Sequence, residues 1–158
     1  MDEKKVNLRI LSEQFSETLE PKGEAFEKKL NLDDSIEIFT EGTLNFAEDS
    51  SALINYDESK ATGMEGIKTS IKYRQGVLDI EHFGDNSDKQ LDLHLEAGVV
   101  HLTRFVLPMA TLDVEVYAHS VKGVIDEDGY GTILADYNVK FDKMLNRRNR
   151  LEIEVSPS

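Results

Sequence analysis

The sequence predicts an all-β protein, built as an antiparallel up-and-down barrel of about eight to ten strands. Apolar and polar residues alternate along much of the chain, as in residues 91–95 and 151–155, and this pattern is typical of sheets with one buried face. The connections are short, so segments that are neighbours in sequence are expected to pair in space. A meander of this length tends to curl, because closure removes its edges. A two-sheet sandwich is the alternative arrangement.

Ten strands are predicted in order, within a single domain that spans residues 1–158. They cover residues 5–17, 35–47, 52–57, 66–74, 77–84, 89–95, 100–107, 111–122, 130–142 and 149–155. The first two strands are separated by the one long connection, residues 20–33. The segment from Glu24 to Leu30 is expected to form a short helix or loop there, acting as a lid over one mouth of the barrel.

The turn at residues 75–76 sets the register of the fifth predicted strand against the fourth. Around this turn Tyr73 faces Leu78 on the apolar side. On the other side Lys72 faces Asp79, an attractive cross-strand pair. Both faces make sense only in this register, since a slip of one residue would turn every side chain to the wrong face.

Three further turns, near residues 47–51, 96–99 and 126–129, give registers in the same way. They set Leu44 against Ile54, Leu95 against Val100, Leu93 against Leu102, Val116 against Val139 and His119 against Asp136. Strand direction reverses at each turn, so the four tight turns share one end of the barrel. The longer loops gather at the opposite mouth, where small barrels usually carry function.

The charge balance argues against nucleic acid and membrane partners. The chain has 31 acidic and 18 basic side chains and a formal charge of −13, which repels phosphate backbones and anionic lipid. No apolar stretch is long enough for a signal peptide or a membrane span, so a cytoplasmic protein is expected. There is no cysteine, which excludes disulfides and thiol chemistry.

The inward face predicts a polar site near the loop-rich mouth. By the registers above, His82 faces Thr69 on the apolar side, and Arg104 falls on the same side. A cationic or polar pair inside a barrel would hold a carboxylate or phosphate group. Tyr56 and Tyr73 also point inward and complete the candidate pocket. A bulge in either strand would instead leave one of these groups outside.

The loop at residues 62–66 carries two glycines, which suit turns with positive φ. An alternative reading is that the loop presents Met64 and Glu65 to a ligand at the mouth. Glu58 is one of several carboxylates near the same mouth, but no specific catalytic pair stands out among so many acids. His94 and His101 face each other on the outer side without a third ligand, so no metal site and no cofactor are predicted.

A spaced pattern of residues runs through most of the chain: 40–44 (Thr-Glu-Gly-Thr-Leu), 56–59 (Tyr-Asp-Glu-Ser), 62–66 (Thr-Gly-Met-Glu-Gly) with Thr69, 96–98 (Glu-Ala-Gly), 112–116 and 151–155. This pattern resembles that of the YwiB-like family of uncharacterised bacterial proteins. The resemblance implies a calycin-like barrel, the architecture of lipocalins, and supplies no biochemical function. This chain departs from the family at two places. It has His82-Phe83-Gly84 where the family tends to carry Arg before Ser-Gly. It has Phe105 and Met109-Ala110 where the family tends to carry Tyr and later Phe-Gly near the proline.

Three functions remain open from the sequence. The first is a binding protein that holds a small, partly apolar or anionic ligand inside the barrel. The second is an interaction or regulatory module with a filled interior, whose acidic surface contacts a basic protein partner. The third, an enzyme of lyase type, is least favoured because no constellation is specific. Several aromatic side chains point inward, which favours a largely filled interior.

Overall fold

The computed structural model describes residues 3–58, 66–84, 89–106, 109–141 and 145–158. Its strands are β1 (Lys4–Lys22), β2 (Ala25–Phe46), β3 (Ala52–Asp57), β4 (Lys68–Arg74), β5 (Val77–Phe83), β6 (Lys89–Glu96), β7 (Val100–Val106), β8 (Thr111–Ile125), β9 (Gly131–Phe141) and β10 (Leu145–Pro157). None of the described residues lies in a helix. The described part of the chain accordingly holds no helix that would span a membrane.

All ten strands form one antiparallel sheet in the order β6-β5-β4-β3-β2-β1-β10-β9-β8-β7. Each strand pairs with its neighbour in sequence except β6 with β7, and β1 also pairs with β10. The all-β up-and-down fold predicted from the alternation is therefore confirmed. The sheet carries its first and last strands at its centre, so its two edges belong to strands that follow each other in sequence.

The sheet is not closed, because β6 and β7 lie at its two edges without a ladder between them. We call the junction between these two strands the seam. A turn with a hydrogen bond of 3.0 Å from the Val99 amide to the Glu96 carbonyl joins them. Near it, the Gly98 amide donates to the Ala118 carbonyl of β8 at 2.9 Å. The curled sheet therefore brings β6 and β7 together, but polar contacts stand between them in place of the hydrogen-bonded ladder that would close a barrel.

The register predicted across the 96–99 turn is wrong, and the two faces of β7 are the reverse of those predicted. In the structure β7 pairs with β8, with Thr103 opposite the buried Val114. The intervening residues Val100 and Leu102, predicted to face Leu95 and Leu93, are exposed on the outer side. The reason is the period of two along a strand: an offset of one residue moves each side chain to the other face.

The predicted lid at residues 20–33 is also wrong, because this segment continues β1 and β2 into a long hairpin. The hairpin turns between Lys22 and Ala25, where Gly23 has a φ of +63°. Ion pairs between the strands favour this extension, including Lys28 with Glu17 at 2.9 Å. The lysines and glutamates of this segment pair across the two strands.

The other predicted registers hold, apart from one pair beyond a bulge in β8. Tyr73 pairs with Leu78 in β4 and β5, and Leu44 pairs with Ile54 in β2 and β3. In β8 and β9 the predicted pairs are confirmed from Val114 to Ala118. A bulge at His119 then shifts the register, so that Ser120 and not His119 faces Asp136.

The inward faces of the strands form one hydrophobic core. Its fully buried large side chains include Val6, Leu8, Leu44, Ile54, Ile71, Leu78, Leu95, Val116, Ile133 and Ile153. They come from nine of the ten strands, all except β7. Burial of these side chains at about 25 cal/mol per Å² holds the sheet in its curled form.

Candidate functional site

A cavity of about 210 Å³ lies inside the curled sheet. Its wall is formed by Ile10, Ser12, Ile36, Ile38, Tyr56, Glu58, Ile71, Ile80, His82, Leu93, Tyr137, Leu151 and Ile153. These residues belong mainly to the inward faces of strands on both sides of β1, so the cavity is a product of the whole fold. Aliphatic side chains make up most of the wall, and three of its polar residues, Tyr56, Glu58 and His82, lie where β3, β4 and β5 meet.

Three polar residues are joined at one side of this cavity, and we call them the polar cluster: the buried Glu58 and Thr69 and the half-buried His82. The Thr69 hydroxyl lies 2.7 Å from Oε1 of Glu58 and 3.0 Å from Nδ1 of His82. Thr69 is 1% exposed and Glu58 is 8% exposed. Register places them together, because Thr69 pairs with His82 across β4 and β5 and with Tyr56 across β3 and β4.

The hydrogen-bond directions follow from the number of protons available. Burial lowers the pKa of His82, against the opposing charge of Glu58, so the imidazole is neutral at pH 7. The Thr69 hydroxyl has one proton, which it donates to the carboxylate of Glu58. Nδ1 of His82 must then donate to the Thr69 oxygen, and Nε2 is left as an acceptor.

Two tyrosines add neutral phenol groups to the cavity wall. Burial, with a smaller effect from the neighbouring carboxylate of Glu58, raises the pKa of Tyr56. Burial raises the pKa of Tyr137 to about 12. Both phenols therefore keep their protons at neutral pH. A small molecule in the cavity would meet a carboxylate, a neutral imidazole and two phenols, set in an aliphatic wall.

The structure brings together three of the residues predicted for the site. His82 and Tyr56 line the cavity, and Thr69 is hydrogen-bonded to His82 behind the wall. Tyr73 also faces inward but lies outside the cavity. Its hydroxyl donates to the carbonyl of Gly123 at 3.2 Å and accepts from the Gly76 amide at 3.1 Å, so it ties the tight turn to β8.

Arg104 is not beside His82, contrary to the prediction. It lies on the outer face of β7, where its side chain is 75% exposed and Nε is 3.7 Å from a carboxylate oxygen of Asp113. The one-residue offset at the 96–99 turn accounts for this position. Met64 and Glu65 lie outside the described residues.

Glu58 is the member of the polar cluster that the sequence prediction did not place in the pocket. The signal was present, because Ile54 and Tyr56 face inward and Glu58 continues their alternation by one more step. Among the 31 acidic residues of the chain, proximity to the mouth alone does not single it out. Among the described residues, its Oε2 atom has no hydrogen-bond partner, although a buried oxygen normally has one.

Several ionisable residues outside the cavity are paired with each other. Arg148 binds Asp136 through two contacts of 2.7 and 2.8 Å, which raises the pKa of Arg148 and lowers that of Asp136. His94 is 2.6 Å from Asp79, and its ring centre is 5.7 Å from that of His101 across the seam. In the described residues, no group of three or more potential ligands is arranged for a metal ion.

Comparison with known proteins gives a family and a fold. The family model described as a domain of unknown function (DUF1934) matches residues 23–153. The crystal structure of the ywiB protein from Bacillus subtilis superimposes with a TM-score of 0.73, at 16% sequence identity, over 99% of this chain and 93% of that chain. This likeness supports the lipocalin-like fold. No curated protein matches the sequence.

Proposed function

The chain belongs to the family of the domain of unknown function DUF1934, and we propose that it binds a small, partly apolar molecule inside the curled sheet. The observation that carries this proposal is the aliphatic cavity of about 210 Å³ with polar groups at one side. A barrel of this size either fills with side chains or holds one small ligand. Binding sites commonly combine an apolar wall with a few polar groups that orient the ligand.

The size of the cavity sets the size of the ligand. An engineered apolar cavity of about 150 Å³ binds benzene, so 210 Å³ suits a ring with a short polar side chain. Ligands of this size reach useful affinity because each non-hydrogen atom can contribute up to about 1.5 kcal/mol. The inward aromatic residues reduce the interior without filling it, since Tyr56 and Tyr137 stand in the wall.

Titration with 2-phenylethanol, a neutral probe of this size, tests the proposal. Amide resonances of residues that line the cavity, such as Ile71 and Ile80, are expected to shift and saturate in two-dimensional NMR spectra. Ile36→Trp fills the cavity from a wall position that is 38% exposed, and it should abolish the response. Val124→Trp, at a site 75% exposed on the outer face, is the matched control. Equal responses in both variants would overturn the proposal.

One observation favours a second candidate, an enzyme of lyase type. The interior holds a carboxylate and a neutral imidazole that are joined through the hydroxyl of Thr69. Such groups serve as acid and base when a substrate lies within hydrogen-bond reach. The two functions differ in what happens to a compound that purifies with the protein. A binding protein releases it unchanged, whereas a lyase converts it during incubation with fresh protein, which NMR of the released compound would detect.

A further inference from the structure

The polar cluster offers hydrogen-bond acceptors to a ligand. Oε1 of Glu58 already accepts from Thr69, and Oε2 is buried without a partner among the described residues. A buried acceptor without a partner destabilises the folded protein, and more so when it is charged. A ligand that donates to this carboxylate would recover that free energy.

His82 adds a second acceptor on the same side of the cavity. Its Nδ1 atom is committed to Thr69 as a donor, so its free nitrogen, Nε2, carries a lone pair. Neither tyrosine of the wall brings a charge, because both phenols are neutral. The hydroxyl groups of the wall, including that of Ser12, can donate or accept and do not decide the preference.

The charge of the wall is also one-sided. No lysine or arginine is among the described residues that line the cavity, and Glu58 has no ion pair with a described residue. A buried carboxylate is stable only when it is paired or well hydrogen-bonded. Arg104, which was expected to bring an anion into the pocket, is on the outer surface. The interior therefore suits a cation and opposes an anion.

We propose that the ligand is a small amine with an apolar body, whose protonated nitrogen donates to the carboxylate of Glu58 and to Nε2 of His82. This inference rests on the proposed function, since it names the chemical class that the same cavity takes. The apolar part lies among the aliphatic side chains of the wall. Charge-assisted hydrogen bonds of this kind are about twice as strong as neutral ones, which gives the amine its advantage over a neutral molecule of equal shape.

Three probes with the same phenylethyl body test the class of ligand. They are 2-phenylethylamine, 2-phenylethanol and 3-phenylpropionate, which end in a cation, a neutral group and an anion at pH 7. Dissociation constants are measured by calorimetry with the wild-type protein. The amine is expected to bind about tenfold or more tightly than the alcohol, and the carboxylate is expected to bind most weakly.

A pair of matched variants assigns the preference to Glu58. Glu58→Gln keeps the shape but removes the charge, so it should weaken binding of the amine about tenfold and leave binding of the alcohol nearly unchanged. Glu115→Gln removes a charge from the exposed face of β8 and should change neither. The comparison of the three probes needs no variant, so the test stands even if Glu58→Gln does not fold.

The outcomes separate the two proposals. Equal binding of the three probes, or tightest binding of the carboxylate, would overturn the amine while the cavity remained a binding site. An amine that binds equally well to Glu58→Gln and to the wild type would overturn the role of this residue. If none of the probes binds in a way that Ile36→Trp abolishes, both the amine and the proposed function are wrong.

Discussion

The single proton of the Thr69 hydroxyl decides what the interior offers to a ligand. Its donation to Glu58 forces His82 to donate through Nδ1 and fixes the tautomer of the ring. Three side chains that would be unremarkable on a surface thus become a directional array of acceptors. The same chain of hydrogen bonds keeps Thr69 satisfied at 1% exposure, which a buried hydroxyl requires.

Titration of two histidines by NMR tests the electrostatics at this scale. Burial lowers the pKa of His82 below the usual value of 6.5, whereas the hydrogen bond to Asp79 raises that of His94 above it. The two ring resonances should therefore titrate on opposite sides of 6.5. A His82 resonance that titrates above 6.5 would contradict the partly desolvated, neutral ring.

The two shifts have opposite consequences for stability. Between the lowered pKa of His82 and 6.5 the unfolded chain binds more protons, so this residue reduces stability as the pH falls through that window. The pair of His94 with Asp79 contributes stability that is fully present below 6.5. That contribution is lost as the pH rises through the raised pKa of His94.

At the scale of strands, the local sequence pattern was sufficient to predict the register of a hairpin wherever its turn was tight and regular. The turn at residues 75–76 has positive φ at Gln75 (44°) and Gly76 (82°), which suits a two-residue hairpin, and its whole register was predictable. Bulges were not predictable, because the extra residue at His119 leaves the alternation on either side intact. The seam was missed for a similar reason, since its one-residue offset lies inside a turn.

The residues of the site were predictable where the registers of their strands were predictable. His82, Thr69 and Tyr56 were found because their registers hold across β3, β4 and β5. Arg104 was misplaced because its register depended on the turn at the seam. The cavity itself could not be read from alternation, because alternation gives the inward direction of a side chain and not the space left between opposite walls.

The close approach of β2 and β3 at Gly42 gives a prediction at this scale. A Cβ atom at Gly42 would lie 2.6 Å from the carbonyl oxygen of Asn55 and 2.9 Å from Cδ1 of Leu8. Gly42→Ala should therefore lower the free energy of unfolding by about 1–3 kcal/mol, the usual cost of overpacking. Urea unfolding measures the change.

Glu41→Ala is the control for this substitution, because the neighbouring side chain is exposed and should stay within about 0.5 kcal/mol of the wild type. A Gly42→Ala protein as stable as this control would show that β2 and β3 are farther apart than described here.

At the scale of the molecule, side-chain contacts across the seam hold the curled sheet around its interior. The two edge strands meet through side chains, with the hydroxyl of Thr103 donating to Asp92 and the rings of His94 and His101 side by side. Such contacts hold the edges together without the continuous ladder of a closed barrel. The excess of 31 acidic over 18 basic residues adds a negative field that attracts cations, in line with the amine proposed for the interior.

A crystal structure of the protein soaked in 2-phenylethylamine tests the central claim most directly, namely that the cavity of the curled sheet is a ligand site. The predicted result is a ring among the aliphatic side chains of the wall, including Ile38 and Ile153. The amine nitrogen should lie within about 3 Å of a carboxylate oxygen of Glu58. An interior filled by the side chains of Tyr56 and Tyr137, with the amine absent from it, would contradict the claim.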